Sequence, residues 1–226
     1  MYKKAITFSF DDGVESDKKL LELMKKYGLK GSFNINAGKI DDTTFWMYKD
    51  EFKVIGMTPF EPALYEGHEI CVHGYFHKNV ATIGGNELYF EFAEDKRVLE
   101  QVFGGKVIGG AYAYGANSDQ AVQVLKDIGI KHCRTVVASH SFDKQEDMLR
   151  FNPTCHIYDE KLPKLIEAFL ASDSQEPQIL YIWGHSYEPD GDDKWDELEK
   201  IFVSLAGRRD VLYGTNTEVF REFGWI

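Results

Sequence analysis

Thr7-Phe8-Ser9-Phe10-Asp11-Asp12-Gly13 is an apolar strand pattern that runs straight into two adjacent carboxylates and a glycine. The strand starts at Lys4. The next segment, Ser16–Tyr27, changes period: Leu20, Leu21, Leu23 and Met24 fall in helical rhythm until Gly28 stops it. Strand, turn and helix make one βα unit, and the unit repeats. Further strands are expected at Gly31–Asn36, Glu69–His73, Val107–Tyr114, His132–Val137, Phe151–Ile157, Gln178–Trp183 and Val211–Gly214. Further helices are expected at Asn86–Phe103, closed by Gly104-Gly105, at Ser118–Ile128 with Ser118 as N-cap, and at Leu162–Ala171 and Trp195–Leu205.

Repeated βα units imply a parallel sheet with crossover helices. Seven or eight units within 226 residues predict an α/β fold, a distorted or incomplete seven- or eight-stranded (β/α) barrel of the TIM type. An open doubly wound sheet is disfavoured, since no glycine-rich phosphate turn follows the first strand. Asp11, Asp12, His73, Tyr114 and His185 all come at the C-terminal ends of expected strands, where barrel active sites gather. One segment breaks the rhythm, at about 40–67. It carries Phe45, Trp46, Tyr48, Phe52, Phe60 and Tyr65 with Pro59 and Pro62, and reads as an insertion folded over the barrel with its own small apolar cluster. A sharper reading makes Trp46 or Tyr48 a stacking wall for a ligand.

The bulk properties fit one soluble domain spanning residues 1–226. A net charge of −11 makes phosphate backbones and anionic membranes poor partners, so neither a nucleic acid nor a membrane is expected. Cys71, Cys133 and Cys155 are odd in number and widely spaced, which suits small buried hydrophobes better than a disulfide framework. The apolar run after Met1-Tyr2-Lys3-Lys4 is too short for a signal peptide, and no stretch approaches the roughly 20 apolar residues of a membrane span. The chain as written is therefore expected to be cytoplasmic.

The chemistry lies in a combination. Sixty residues after Asp-Asp-Gly comes His73-Gly74-Tyr75-Phe76-His77, two imidazoles four positions apart, a spacing that lets both reach one ion from a helical turn. Each motif alone is ordinary, the first as turn chemistry and the second as a chance pair on a solvated face. Together, each directly following a buried strand, they suggest a divalent metal held by one carboxylate and two histidines, with a second carboxylate free to act as base.

This set resembles the polysaccharide deacetylases, the NodB-homology family that forms carbohydrate esterase family four. The resemblance runs from residue 7 to residue 185. It implies that Asp11 is the catalytic base and that Asp12, His73 and His77 bind the metal, with zinc the expected ion and cobalt, manganese or nickel as alternatives. Ile179-Leu180-Tyr181-Ile182-Trp183-Gly184-His185 is similar to the family's last motif, which makes His185 the general acid. The third motif departs: where the family has Arg-x-Pro-Tyr/Phe-Gly, this chain has Ala111-Tyr112-Ala113-Tyr114-Gly115. The Tyr114 amide still suits an oxyanion donor, but the arginine that orients the base is missing. Arg134, at the end of the next expected strand, is the candidate replacement, against its plainer reading as a surface arginine. Tyr112, Trp183, Tyr187 and Trp46 are candidate substrate-binding aromatics. Cys155-His156 lacks the third group a nucleophilic dyad needs, His68 reads as structural, and Asp190 to Asp193 as a solvated turn.

The implied activity is metal-dependent removal of acetyl groups from an N- or O-acetylated carbohydrate, with an oligosaccharide or another small amide or ester as partner. Two alternatives stay open: a hydrolase of another C–N bond such as a cyclic amide, and a catalytically silent glycan binder. Neither the sugar nor the oligomeric state is readable.

Overall fold

The computed structural model describes residues 2–40, 43–57 and 61–226; Pro59 and Phe60 of the insertion lie outside the described residues. In chain order the elements are β1 (Lys4–Asp12), α1 (Asp17–Lys26), β2 (Gly31–Ile35), β3 (Phe45–Tyr48), β4 (Phe52–Ile55), β5 (Glu69–Val72), α2 (Gly85–Phe103), β6 (Gly109–Ala111), α3 (Asp119–Asp127), β7 (His132–Arg134), β8 (Cys155–His156), α4 (Leu162–Ala171), β9 (Gln178–Gly184), α5 (Tyr187–Gly191), α6 (Trp195–Leu205), β10 (Val211–Tyr213) and α7 (Asn216–Glu222). The expected alternation is present, and α4 and α6 have the expected bounds. Ser118 caps α3 as expected, its side chain accepting from the Ala121 amide.

The sheet is parallel, in the order β7-β6-β5-β2-β1-β9-β8, with β10 added to β1. β1 is its centre: β9 pairs along one side, while β10 pairs with Lys4–Ile6 and β2 with Phe8–Asp12 on the other. The edges come together irregularly. Phe151 bridges Arg134 at the end of β7, and four residues later the same segment becomes β8 against β9. This is a distorted (β/α) barrel. Several strands are shorter than expected because the barrel keeps only the residues that pair. Phe8, Phe10, Phe33 and Phe202 are almost wholly buried in the main apolar core, where Phe8 meets Phe202 edge-on at 5.0 Å.

The insertion contains a hairpin that the sequence pattern did not disclose. β3 and β4 pair antiparallel, and Gly56 forms a bridge with Val14 just beyond β1. Trp46, Tyr48 and Phe52 pack with Val14, Val54 and Tyr187 as a small separate cluster, the bland reading of the segment. The acidic stretch after Glu188 is no solvated turn: it begins within α5, and Asp190 accepts from Ser16 Oγ (2.7 Å) and Trp195 Nε1 (2.9 Å). The three cysteines are buried and free. Among the described residues no helix is long and apolar enough to cross a membrane.

The N-terminal mouth of the barrel is closed by α7 through a polar plug. Glu69 at the start of β5 accepts from Ser32 Oγ (2.7 Å), the Thr217 amide (3.0 Å) and the Thr217 hydroxyl, and lies 3.4 Å from His132 Nε2. Burial alone would raise the Glu69 pKa, but His132 and the two hydroxyls hold it at about 2 against an ordinary value of 4.5. A carboxyl whose folded pKa is depressed adds stability above its unfolded pKa and loses it as pH falls toward the folded one, here on the order of 3 kcal/mol at most. Glu69→Gln is therefore expected to be less stable than wild type at pH 7, with the gap closing as pH falls from about 5 to 3. Urea unfolding across that range checks this; two parallel stability curves would contradict it.

Candidate functional site

β1 ends in two left-handed residues, Asp12 (φ 84°) and Gly13 (φ 69°), which break the strand and turn its carboxylates into the C-terminal mouth. Such a turn favours glycine, and at Gly13 a Cβ would also stand 2.9 Å from Ile35 Cγ2. The cleft above them, about 720 Å³, has room for a small-molecule ligand.

His73 and His77 reach this cleft from a loop, contrary to the helical turn their spacing suggested. Gly74 (φ 83°) and His77 (φ 58°) are left-handed, and the loop is folded by carboxylates from α2. Asp95 accepts the amides of Ala37 (2.7 Å), His73 (2.8 Å) and Gly74 (2.9 Å), and Glu91 Oε2 accepts that of Phe76 (3.0 Å). Burial pushes the Asp95 pKa up, against the pull of the three amides that favour its ionised form. Asn36 Nδ2 donates to the carbonyls of His73 (2.9 Å) and Gly74 (2.6 Å) from the end of β2.

The carbonyl of Ala111, 2.9 Å from His73 Nδ1, can only accept, so that nitrogen carries the proton and Nε2 keeps its lone pair. Asp12 Oδ1 lies 3.7 Å from His73 Nε2 and 3.5 Å from His77 Nε2, and one donor atom from each residue lies within 4.8 Å of the others. Ligands about 2.0–2.1 Å from one tetrahedral ion stand roughly 3.3 Å apart, so the trio fits a divalent cation with little movement. Burial and the neighbouring His73 push the His77 pKa down to about 4, which keeps its imidazole in the neutral, ligating form.

Arg134 is buried, with 1% of its surface exposed, and its Nη2 lies 2.5 Å from both oxygens of Asp11. Arg134 on β7 is in register with Ala111 on β6, the first residue of the Ala111–Gly115 stretch. Asn34 Nδ2 also donates to Asp11 (2.8 Å). Burial would raise the Asp11 pKa, but Arg134, with His73 and His185, holds it well below the usual carboxylate range. The guanidinium also stacks on Trp183, 4.3 Å from the ring centre.

His185 faces Asp11 from the other side, Nε2 to Oδ2 3.9 Å. Burial would lower its pKa, but Glu188, with Asp12 and Asp11, raises it to about 9. Glu188 also accepts the His185 backbone amide at 3.0 Å. Ser186 donates to the buried Asp17 (2.5 Å), which also takes the Tyr65 hydroxyl (2.8 Å), so the segment after β9 is fastened on both sides of its turn.

Trp46, Trp183 and Tyr187 line the cleft as proposed from the sequence, as does Tyr114, which is 67% exposed and set edge-on against His77. Tyr48 instead packs on Tyr187. Tyr112 also lines the cleft, but from its floor: its side chain is buried, and its hydroxyl donates to the Leu149 carbonyl (2.8 Å). Burial pushes the Cys155 thiol up to about 12, which removes it as a nucleophile. His68 is structural, as read: its Nδ1 accepts the Gly31 amide. The sequence reading missed Asp95, Glu91, Asn34, Asn36 and Glu188. Only Glu188, three residues after His185 and thus within reach over one helical turn, left a readable signal.

A family model, polysaccharide deacetylase, matches residues 1–133 of the chain. The chain belongs to the polysaccharide deacetylase family. This deacetylase-family chain is similar in fold to a polysaccharide deacetylase from Mycobacterium smegmatis described as putative in its own name (TM-score 0.68, 14% identity, 99% of this chain and 91% of that one). It is also similar to a family 4 carbohydrate esterase from Streptomyces lividans in complex with acetate (0.59, 16%, 95% and 93%). A third likeness is to a family 4 pseudoenzyme from Bacillus anthracis (0.57, 16%, 96% and 65%). The chain spans 61–67% of the length of several such structures. No curated protein sequence matches it.

Because one oxygen of an amide cannot take three N–H groups that two carboxylate oxygens share, Asp95→Asn is expected to loosen the His73 loop. The measurement is zinc affinity by chelator competition. A loss of about 10- to 100-fold is expected, in line with other groups that orient metal ligands; unchanged affinity would show that the loop holds its shape without Asp95.

Proposed function

We propose that this chain is a metal-dependent deacetylase of an N- or O-acetylated carbohydrate, and that residues 1–226 act as one catalytic domain with the hairpin segment as its insertion. The observation that carries this reading is the placement of Asp11: its charge is fixed by Arg134, and it stands 3.7 Å from His73 and 3.9 Å from His185, between a ligand trio and an acid. A divalent cation held by Asp12, His73 and His77, zinc by the chemistry of the donors, would supply Lewis-acid polarisation and a more acidic water.

The remaining work falls to the chain's own groups. Asp11 takes one proton from the attacking water as its oxygen bonds to the acetyl carbon. The Tyr114 amide faces the developing oxyanion. His185, protonated at neutral pH by virtue of its raised pKa, gives its Nε2 proton to the departing nitrogen or oxygen as that bond to the acetyl carbon breaks. The acetic acid formed leaves as acetate, its proton restoring His185, while the free amine or alcohol departs and the proton on Asp11 returns to solvent. Trp46 and Trp183 form the aromatic part of the wall against which the sugar would rest. An amide-bearing ring would meet the same base and acid, so the leaving group is set by the cleft walls and not by the ion.

The test is acetate release from N-acetylglucosamine oligomers and O-acetylated xylan by metal-stripped protein reloaded with zinc or cobalt. Release is expected only with metal, and Asp11→Asn is expected to lower it by about 10²–10⁴-fold, the usual worth of a general base. Arg134→Lys, which loses the Nη1 bond to the Thr135 carbonyl and the guanidinium's seat on Trp183, is expected to cost about 10-fold or more in kcat. Stoichiometric metal binding without release from either class would favour a ring-amide substrate, and glycan binding unaltered by Asp11→Asn would favour a silent binder.

A further inference from the structure

His156 lies outside the chemistry so far, yet the same carboxylate touches it and His185. It ends β8, in parallel register with Trp183 of β9, so it and His185 project from neighbouring strands. Glu188, from the first turn of α5, sits between them: Oε2 is 3.1 Å from His156 Nε2 and Oε1 is 3.3 Å from His185 Nδ1. Glu188 is only 12% exposed in its side chain, and burial would raise its pKa, but the two imidazoles hold it at about 2. Three such groups within 4.8 Å could also be read as a second metal site. The tautomer argues otherwise. The Tyr158 amide donates to His156 Nδ1 (3.2 Å), so the neutral ring carries its proton on Nε2, facing Glu188, where a metal would need a lone pair.

We propose that His156 is a positioning residue for His185, acting through Glu188. Its Nε2–H lies 3.1 Å from the same Glu188 oxygen that receives the His185 amide, and the other oxygen stands 3.3 Å from His185 Nδ1, a buried nitrogen with no other partner among the described residues. His185 then keeps its Nδ1 proton against Glu188 throughout and gives up the Nε2 proton. No proton passes along the chain of three. The edge of His156 against Trp183, ring centres 4.7 Å apart, fixes its plane. The other charged groups facing His185 are Asp11 and Asp12 from β1. This inference rests on the reading of His185 as the acid, but its primary test does not require turnover.

The experiment follows the His185 imidazole by NMR titration in wild type, His156→Ala, His156→Gln, Glu188→Gln and the Ala/Gln double variant, with zinc binding counted in each. The His185 pKa is expected to fall in Glu188→Gln and to fall by less in His156→Ala. It should return in His156→Gln, whose amide N–H can replace the lost donor. His156→Ala should add nothing once Glu188 is already Gln, since the effect passes through that carboxylate. Where deacetylation is measurable, His156→Ala should lower kcat about 10-fold at constant KM. A His185 titration unmoved by His156→Ala in a folded protein would overturn the proposal. So would a second zinc ion in wild type that both single variants lose. If the titrations behave as expected and no acetate is released, the relay stands and the deacetylase reading falls.

Discussion

A guanidinium 1% exposed beside a carboxylate 3% exposed is the constraint around which the mouth of this barrel is arranged. Neither charge would tolerate that burial alone, since an isolated ion in a low-dielectric interior costs several kcal/mol even after relaxation. Paired, they leave Asp11 ionised yet with one face still open to the cleft. The pair also fixes geometry. Arg134 Nη1 donates to the Thr135 carbonyl (2.9 Å) and the guanidinium lies over Trp183, so the cation beside Asp11 is itself held in place. A lysine offers neither the plane that rests on Trp183 nor the second nitrogen that reaches Thr135.

Around that pair the barrel separates two kinds of support. Strand ends supply the groups proposed to react, Asp11 and Asp12 from β1 and His185 just past β9. Helices supply the carboxylates that hold loops in shape, Asp95 and Glu91 from α2 and Glu188 from α5. The logic is that of backbone satisfaction: a loop bent by left-handed residues leaves amides that no strand can take, and a buried carboxylate is the acceptor that absorbs several of them at once. His73 is ligand-ready because its backbone is tied to Asp95 and its ring to Ala111, before any ion arrives.

The parts of this arrangement that were legible in the sequence are those with a period or a motif. Leu20 and Met24 announce α1 by spacing, and Asp-Asp-Gly after an apolar strand announces the mouth. The hairpin of the insertion was hidden because its strands are four residues each and its apolar residues serve a local cluster, so neither alternation nor length marks it. The HxxxH spacing misled on conformation: two imidazoles can converge from a helix or from a tight loop, and only the glycine between them hinted at the loop. Asp95 and Glu91 sit on a helix whose other acidic residues face solvent, and nothing local distinguishes a carboxylate that turns inward. Tyr112 and Tyr114 both line the cleft, but nothing local in the sequence says that Tyr112 is buried at its floor while Tyr114 stands exposed at its rim.

The missing arginine of the third motif shows why a fold can be more persistent than its signatures. In a parallel barrel the residues at one height on neighbouring strands face the same centre, and Ala111 and Arg134 are partners in register. An arginine can therefore move from one strand to the next and still reach the same carboxylate, provided the vacated position stays small. Ala111 is small, and its carbonyl serves His73 instead. Read along the chain, this looks like loss of a motif. Read across the sheet, the charge that Asp11 requires is supplied from the adjacent strand.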